Sequence, residues 1–337
     1  MAIDLRNRNF AISDVSNPQS ITHLQMKRIP ILLACILATA GARADWTLKD
    51  DANTELPGRK VDIARDGRLV ARFIYGEGQA KPYLRVYGEE GDCLNEWDPK
   101  QQFPHHRGIY IGWNKIASDL GTFDLWHMTG GAAMTVKKLE KLEPGKDSAT
   151  LVATIEWNAG KPGADGSMLL ITETRTLTIS QPAPKSVQVD AKFELNPARD
   201  LTLGGDLQHA GIHFRASKSV GDRKAETSYV WEPDLDGKGG KVKSTELKWA
   251  QLTFPIGQRW YHVTHLNAPT NPVEELSWRD YGRFGFFFTK ALKKDEKLAV
   301  NYRFVAELAA GVTSKPTDEQ RKESRKAAQA HYDTFVK

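Results

Sequence analysis

Seven of the nine histidines in this 337-residue chain fall into three clusters. Imidazole exchanges protons near neutral pH and is a common metal ligand, so clustered histidines indicate a site of chemistry. The densest cluster lies on two neighbouring segments of the chain. It predicts proton transfer by His105 and His106 and substrate binding by Arg107, Asp124 and His127.

Two tryptophans accompany this first cluster. Trp113 and Trp126 offer flat apolar faces on which a sugar ring can stack, so we expect both to bind substrate. Pro104 and Gly108 bound an irregular turn ahead of a strand, and loops held on a sheet are where binding residues concentrate. The alternative interpretation is structural: the histidines hydrogen-bond the turn and the tryptophans belong to the core.

The second cluster lies on one predicted strand, Gln208-His-Ala-Gly-Ile-His-Phe-Arg215. Alternation along a strand places His209, His213 and Arg215 on one face, and the apolar residues between them on the core face. Gly211 leaves a gap on the polar face that a ligand can approach. We therefore expect the two histidines to transfer protons and the arginine to bind substrate. The alternative is a solvated face without a function.

The third cluster contributes less. His262 and His265 are three residues apart, so on a strand they point to opposite faces and one of them is structural. Arg283, farther along the chain, is expected to reach the same cleft as the second cluster and to bind substrate.

The first two clusters are expected to line one cleft, although about a hundred residues separate them. Burying an unpaired arginine costs several kcal/mol by order of magnitude, so Arg107 and Arg215 must meet solvent, a carboxylate or a ligand. Three converging histidines would satisfy zinc or copper. The local spacing does not require a metal, however, and we expect no metal or other cofactor.

The elements that must position these residues are mostly strands. A hairpin is predicted at Lys60–Arg65 and Arg68–Tyr75, joined by Asp66-Gly67. Thr317 and Gln320 predict the start of one helix that continues to Phe335. Further strands are expected at Leu151–Trp157, Met168–Ile179, Val187–Leu195, His209–Arg215, Tyr229–Glu232, Arg259–His265, Arg283–Phe288 and Leu298–Phe304.

Many short strands with a single helix predict an all-β fold, a large antiparallel β-sandwich with a C-terminal helix. No linker divides residues 45–337, so we expect one domain there. The net charge is +5, and residues 1–44 account for +3 of it through five basic and two acidic groups. Without a basic patch in the remainder, we expect no nucleic-acid partner.

Residues 26–44 have the pattern of a signal peptide: a basic Met26-Lys-Arg28, an apolar stretch to Ala40, and Ala42-Arg-Ala44 for cleavage. Residues 1–25 form an upstream extension, and translation is expected to start at Met26. We expect a periplasmic or secreted protein without a membrane span. A lipoprotein anchored at Cys35 is the alternative. The mature chain then keeps one cysteine, Cys93, so no disulfide is expected.

Several segments resemble an exported bacterial family labelled "methane oxygenase PmoA", also called a domain of unknown function. The resemblance extends from about Arg68 to Arg303. It implies a β-supersandwich similar to that of galactose-mutarotase-like proteins, many of which bind or process carbohydrates. The segments are Lys81-Pro-Tyr-Leu84, Phe103-Pro-His-His-Arg-Gly-Ile109, Asp124-Leu-Trp126, Gln208-His-Ala-Gly-Ile-His-Phe-Arg215 and Asn267-Ala-Pro-Thr-Asn-Pro272.

Taken together, the sequence predicts a secreted carbohydrate-active enzyme. Its reaction would be glycoside hydrolysis, a lyase reaction or an epimerisation that uses histidines as general acid and base. A non-catalytic carbohydrate-binding module is the first alternative. An oxygenase with a histidine-bound metal, as the family label suggests, is the second.

Overall fold

The computed structural model describes residues 45–88 and 90–337, which belong to one compact unit. The predicted upstream extension, the signal peptide and Cys35 lie outside the described residues, so these expectations stay predictions.

Strands dominate the described part of the chain. The first eleven are β1 (Trp46–Ala52), β2 (Arg59–Arg65), β3 (Arg68–Tyr75), β4 (Tyr83–Val86), β5 (Ile109–Trp113), β6 (Lys115–Ser118), β7 (Gly121–Phe123), β8 (Ala133–Pro144), β9 (Ser148–Asn158), β10 (Leu169–Ser180) and β11 (Ser186–Pro197). Those that follow are β12 (Leu201–Gly204), β13 (Ala210–Arg215), β14 (Ser228–Glu232), β15 (Lys241–Lys243), β16 (Trp249–Ile256), β17 (Arg259–Asn267), β18 (Glu275–Arg279), β19 (Arg283–Phe287), β20 (Lys290–Leu292) and β21 (Leu298–Leu308).

These strands form three antiparallel sheets. The largest has nine strands in the order β1-β2-β3-β4-β5-β13-β19-β18-β15, and the second has eight in the order β14-β16-β17-β21-β11-β10-β9-β8. A small sheet follows the order β20-β12-β6-β7. The inner faces of the two large sheets share the main core. The ring centroid of Phe214 on β13 lies 6.3 Å from that of Phe254 on β16 and 6.5 Å from that of Phe304 on β21. The predicted all-β sandwich is thereby confirmed.

The predicted C-terminal helix is confirmed as α2 (Asp318–Phe335), which follows the one-turn α1 (Lys218–Asp222) and the 3₁₀ turn Lys224–Glu226. Thr317 and Gln320 form the expected capping box. Ala328 and Tyr332 pack on the outer face of the eight-stranded sheet. Within residues 45–88 and 90–337, no helix is both long and apolar enough to cross a membrane.

The strand β8 was not predicted. Its lysines and glutamates obscure the alternation of a strand, and its register against β9 shifts twice, between Val136 and Lys138 and between Leu139 and Lys141. It lies at the edge of the eight-stranded sheet. Charged side chains and irregular register at an edge discourage pairing with another chain. The same features obscure the strand pattern in the sequence.

Cys93 has a free thiol next to a short bridge with Tyr87. Burial raises the pKa of this thiol to about 11. The thiol is therefore protonated at neutral pH and a poor nucleophile.

His265 is the core histidine of the third cluster. Its ring stacks on Phe304 at 4.1 Å and contacts Phe286 at 4.7 Å. Among the described residues neither ring nitrogen has a hydrogen-bond partner. Burial lowers the pKa of His265 well below its ordinary 6.5. His262, on the opposite face of β17, shares a 2.8 Å hydrogen bond with the Thr253 hydroxyl.

We expect His265→Phe to make the protein less sensitive to acid. The folded wild type holds this ring neutral, whereas the unfolded chain protonates it below about pH 6.5. The stability that His265 confers is therefore complete above that pH and is lost as the pH falls toward the lower folded pKa. Urea unfolding at several pH values should give a slope of unfolding free energy against pH that is shallower by up to about 1.4 kcal/mol per unit. An unchanged slope would contradict this.

Candidate active site

The site is built on the outer face of the nine-stranded sheet, where β5, β13 and β19 lie side by side. Alternation sends Ile212 and Phe214 of β13 into the main core and turns His213 outward. Tyr110 of β5 pairs with His213 in register and shares its face, as does Phe287 of β19. One predicted strand face therefore forms the floor of the site.

This floor is not solvated, which corrects the expectation from the sequence. His213 is fully buried, because Trp126 covers it with ring centroids 4.8 Å apart and Tyr110 flanks it at 4.3 Å. Two loops, residues 95–108 and 124–132, fold over the outer face. The strand pattern identifies the two faces of β13. It does not identify what covers the outer face, because the covering residues are distant in sequence.

Gly211 also differs from its expected role. A side chain there would lie 2.5 Å from the carbonyl oxygen of Phe286, and its φ of +153° is one that other residues rarely adopt. The gap is therefore occupied by the neighbouring strand and is not open to a ligand.

The first loop places His105 and His106 above this floor. Trp97 donates its indole N–H to the Pro104 carbonyl at 2.6 Å, and the Gln101 amide donates to the His106 carbonyl at 2.7 Å. These bonds restrain the turn. The His106 ring then lies 5.3 Å from His213 and 6.1 Å from Trp126.

The second loop is held by Asp124. One carboxylate oxygen accepts hydrogen bonds from the backbone N–H groups of Trp126 (3.0 Å) and His127 (2.7 Å), and the other bonds Nδ1 of His127 at 2.8 Å. The loop packs closely on β5, since a side chain at Gly112 would lie 2.5 Å from the Leu125 carbonyl oxygen.

The turn before β13 repeats this arrangement. Asp206 bonds Nδ1 of His209 at 2.8 Å and also accepts a hydrogen bond from the Asn114 amide at 3.0 Å. Both aspartates precede their histidines by three residues, in Asp124-Leu-Trp-His127 and Asp206-Leu-Gln-His209. The repeated Asp-Leu-x-His pattern was the available sequence signal for Asp206, which the sequence analysis missed.

Three histidines meet at the surface above the buried floor. The His105 ring lies 4.4 Å from His127 and 6.5 Å from His209, and the last two are 5.0 Å apart. Each offers a ring nitrogen, and these nitrogens lie within 4.8 Å of one another. The side chains of His127 and His209 are 30% and 26% exposed, so the group is open to solvent. We call these residues the histidine trio.

The two clusters separated in sequence are thus adjacent in space, with His106 and His213 beneath the trio. Burial lowers the pKa of both inner histidines well below the usual value, and Arg283 contributes. Burial and the neighbouring His127 lower the pKa of His105 to about 3. These rings are neutral at neutral pH.

Lys81 is a functional candidate that the sequence analysis did not select, although it lies in one of the motifs quoted above. It is fully buried, its ammonium group lies 3.5 Å from the centre of the Tyr110 ring, and it donates to the Trp126 carbonyl. Burial, helped by Arg107, lowers the pKa of Lys81 well below its usual value.

The predicted substrate-binding arginines are buried as well. Arg107 donates to the Gln79 side chain at 2.7 Å and lies over Trp97 at 4.1 Å. Arg215 donates to two backbone carbonyls, those of Ala216 and Tyr281.

Arg283 donates to the Gln208 carbonyl at 3.2 Å. From the sequence, Arg107 and Arg215 were expected to meet solvent, a carboxylate or a ligand. Instead, each bonds carbonyl oxygens through one terminal nitrogen and lies against an aromatic ring, and its buried Nε–H has no partner among the described residues.

Neither tryptophan offers a face to a sugar. Trp113 lies in the main core, where its indole N–H donates to the Phe288 carbonyl at 2.9 Å and its ring packs 5.9 Å from Trp157. Trp126 is equally buried, but among the histidines. The predicted stacking platforms are therefore corrected: Trp113 supports the fold, and Trp126 supports the site.

A separate surface depression of about 450 Å³ lies beside β6, β12 and β20. Its lining residues include Ser118, Asp200, Thr202 and Lys293 and contain no histidine. It brings together none of the residues that the sequence selected.

The family of this chain is shown by its match to a known family model. Residues 60–317 match DUF6807, described as a family of unknown function, and the chain belongs to that family. Among curated proteins, none matches. A solved structure, the Slr1438 protein of Synechocystis sp. PCC 6803, is similar over 77% of this chain and 96% of its own, with 9% identity and a TM-score of 0.37.

We expect Gly112→Ala to disturb the site from beneath. The new methyl group meets the Leu125 carbonyl, so the loop that carries Trp126 must move, at a cost of about 1–3 kcal/mol in unfolding free energy. Urea unfolding and tryptophan fluorescence measure both effects. Gly204→Ala is the matched control, since its methyl group would lie 3.3 Å from the nearest backbone atom. Equal effects in the two variants would contradict the assignment.

Proposed function

We propose that this protein is an exported enzyme that acts on carbohydrate, and that its reaction centre is the histidine trio. The observation that carries the proposal is the convergence of His105, His127 and His209, two of them oriented by a carboxylate at Nδ1. A carboxylate at Nδ1 fixes the tautomer that leaves Nε2 as a proton acceptor. Export rests on the signal-peptide pattern of residues 26–44.

The charges around the trio favour proton abstraction. The guanidinium groups of Arg215 and Arg283 are buried, add to the effect of burial in lowering the pKa of His106 and His213, and are bonded to neutral oxygens. Fixed positive charge close to the reacting atoms stabilises negative charge that develops on a substrate. Removing a proton next to a carbonyl or carboxylate group of a sugar creates such charge.

A lyase or epimerase reaction therefore suits the site better than glycoside hydrolysis. Hydrolysis usually employs two carboxyl groups that face the scissile bond, one of them as the acid. Asp124 and Asp206 are each engaged by a histidine ring nitrogen, which suits them to orienting a base.

The alternatives have less support. A carbohydrate-binding module would present exposed aromatic rings, and the two tryptophans expected to form such a platform, Trp113 and Trp126, are buried. The motif resemblance to the "methane oxygenase PmoA" family, with its galactose-mutarotase-like supersandwich, is consistent with a sugar substrate. The oxygenase that the label names would need a redox-active metal ion bound by histidines.

The full chain should turn over at least one member of a panel of neutral and uronic-acid-containing poly- and oligosaccharides. Ultraviolet absorbance detects unsaturated lyase products, NMR detects epimers, and a reducing-end assay detects hydrolysis. We expect His127→Gln and His209→Gln to lower kcat/KM by about 10²- to 10⁴-fold, because each removes a proton-transfer group.

His262→Gln is the matched control, because this ring lies on β17 in the other sheet and bonds Thr253. It should keep the wild-type rate. Saccharide binding without turnover would favour the binding module, and full activity in His127→Gln would refute the site.

A further inference from the structure

We infer that the histidine trio holds one divalent metal ion of the zinc class, bound through a ring nitrogen of each histidine. The inference rests on the proposed function for the purpose of the ion. With an ion bound, His127 and His209 act as its ligands, and water on the ion takes over the proton abstraction proposed for their Nε2 atoms. Ion binding itself is a separate property of the same residues.

The ring nitrogens of the trio are already close together. The three ring nitrogens already lie within 4.8 Å of one another. Nitrogens bound to one tetrahedral zinc at about 2.1 Å lie roughly 3.4 Å apart, so small side-chain rotations complete the site. Asp124 holds the backbone of its loop, and Trp97 and Gln101 hold the turn that carries His105. The ligands therefore come from restrained segments.

His127 and His209 have the hydrogen-bond partners expected of metal ligands. A histidine that binds a metal through one nitrogen usually donates from the other to a carboxylate or carbonyl group, which fixes the tautomer and the ring orientation. His127 does so to Asp124 and His209 to Asp206, each at 2.8 Å through Nδ1. Their Nε2 atoms are therefore the nitrogens left to bind an ion.

The outer shell also distinguishes the trio from the other buried histidines. Among the described residues, His106 and His213 have no hydrogen-bond partner at either ring nitrogen. They are packed between aromatic rings beneath the trio, so they lack both an orienting carboxylate and access to solvent.

The charge and ligand types of the trio also suit an ion of this class. Three imidazole nitrogens without a thiolate suit zinc, copper, nickel or iron and disfavour calcium and magnesium, which prefer oxygen ligands. The carboxylates of Asp124 and Asp206 partly offset the charge of the ion. Because the trio is partly exposed, the ion keeps a coordination position for water or a substrate oxygen, where it can lower the pKa of that water or polarise the substrate.

The test uses the full chain, freed of metal with a chelator and titrated with ZnCl₂ by isothermal titration calorimetry. We expect one trio-dependent ion per chain. Asp206→Asn and Asp124→Asn should weaken binding by about 10- to 100-fold, and His105→Ala, His127→Ala and His209→Ala by more than that. His262→Ala is the matched control and should bind as the wild type does.

Folding of each variant is checked by circular dichroism and thermal unfolding. Asp206→Asn is the most informative variant, because its side chain is half exposed and its replacement leaves the buried floor intact. In addition, Co²⁺ bound to three nitrogens should give a visible absorption band that disappears in His127→Ala.

Zinc affinity that is the same in the wild type and in the three alanine variants would overturn the inference, and so would the absence of zinc binding. Turnover by chelator-treated protein that His127→Gln abolishes would then leave the proposed function standing with the histidines as direct bases. Trio-dependent zinc binding without turnover of any saccharide would support the metal site and count against the proposed function.

Discussion

The burial of one indole ring organises the site. Trp126 lies between the outer face of the nine-stranded sheet and the histidines, with its ring 4.8 Å from His213, 5.5 Å from His209 and 6.1 Å from His106. Its carbonyl group accepts the hydrogen bond from buried Lys81. The ring can occupy this place only because Gly112 lets its loop approach β5. Trp126 thus buries the outer face of the sheet. The region that it encloses is a second interior, which contains polar side chains as well as aromatic rings.

The basic side chains in that interior bond neutral oxygens rather than carboxylates. Lys81, Arg107 and Arg215 are bonded to carbonyl or amide oxygens and lie against aromatic faces, at 3.5 Å for Lys81 over Tyr110 and 4.1 Å for Arg107 over Trp97. Such neighbours offset part of the cost of burial without cancelling the charge. The two site carboxylates are reserved for His127 and His209. The arrangement favours chemistry in which negative charge develops on a bound substrate.

Local signals were sufficient for much of the fold. The hairpin of β2 and β3 follows from alternation around Asp66-Gly67, and α2 follows from its capping box, because these interactions involve residues close in sequence. The edge strand β8 was missed because charge and register shifts hide its alternation. The histidine clusters were found from composition, whereas Asp206 required recognising that one Asp-Leu-x-His pattern occurs twice.

The sequence by itself determined an all-β chain, the two faces of β13, and the residue types of a histidine site, since alternation and side-chain chemistry are local properties. Only the tertiary structure decided which histidines meet. His105, His127 and His209 come from three separate loops, and their convergence depends on how those loops cross the sheet. It also decided that His213 and Trp126 are buried, because the solvent exposure of a strand face depends on distant segments that pack over it.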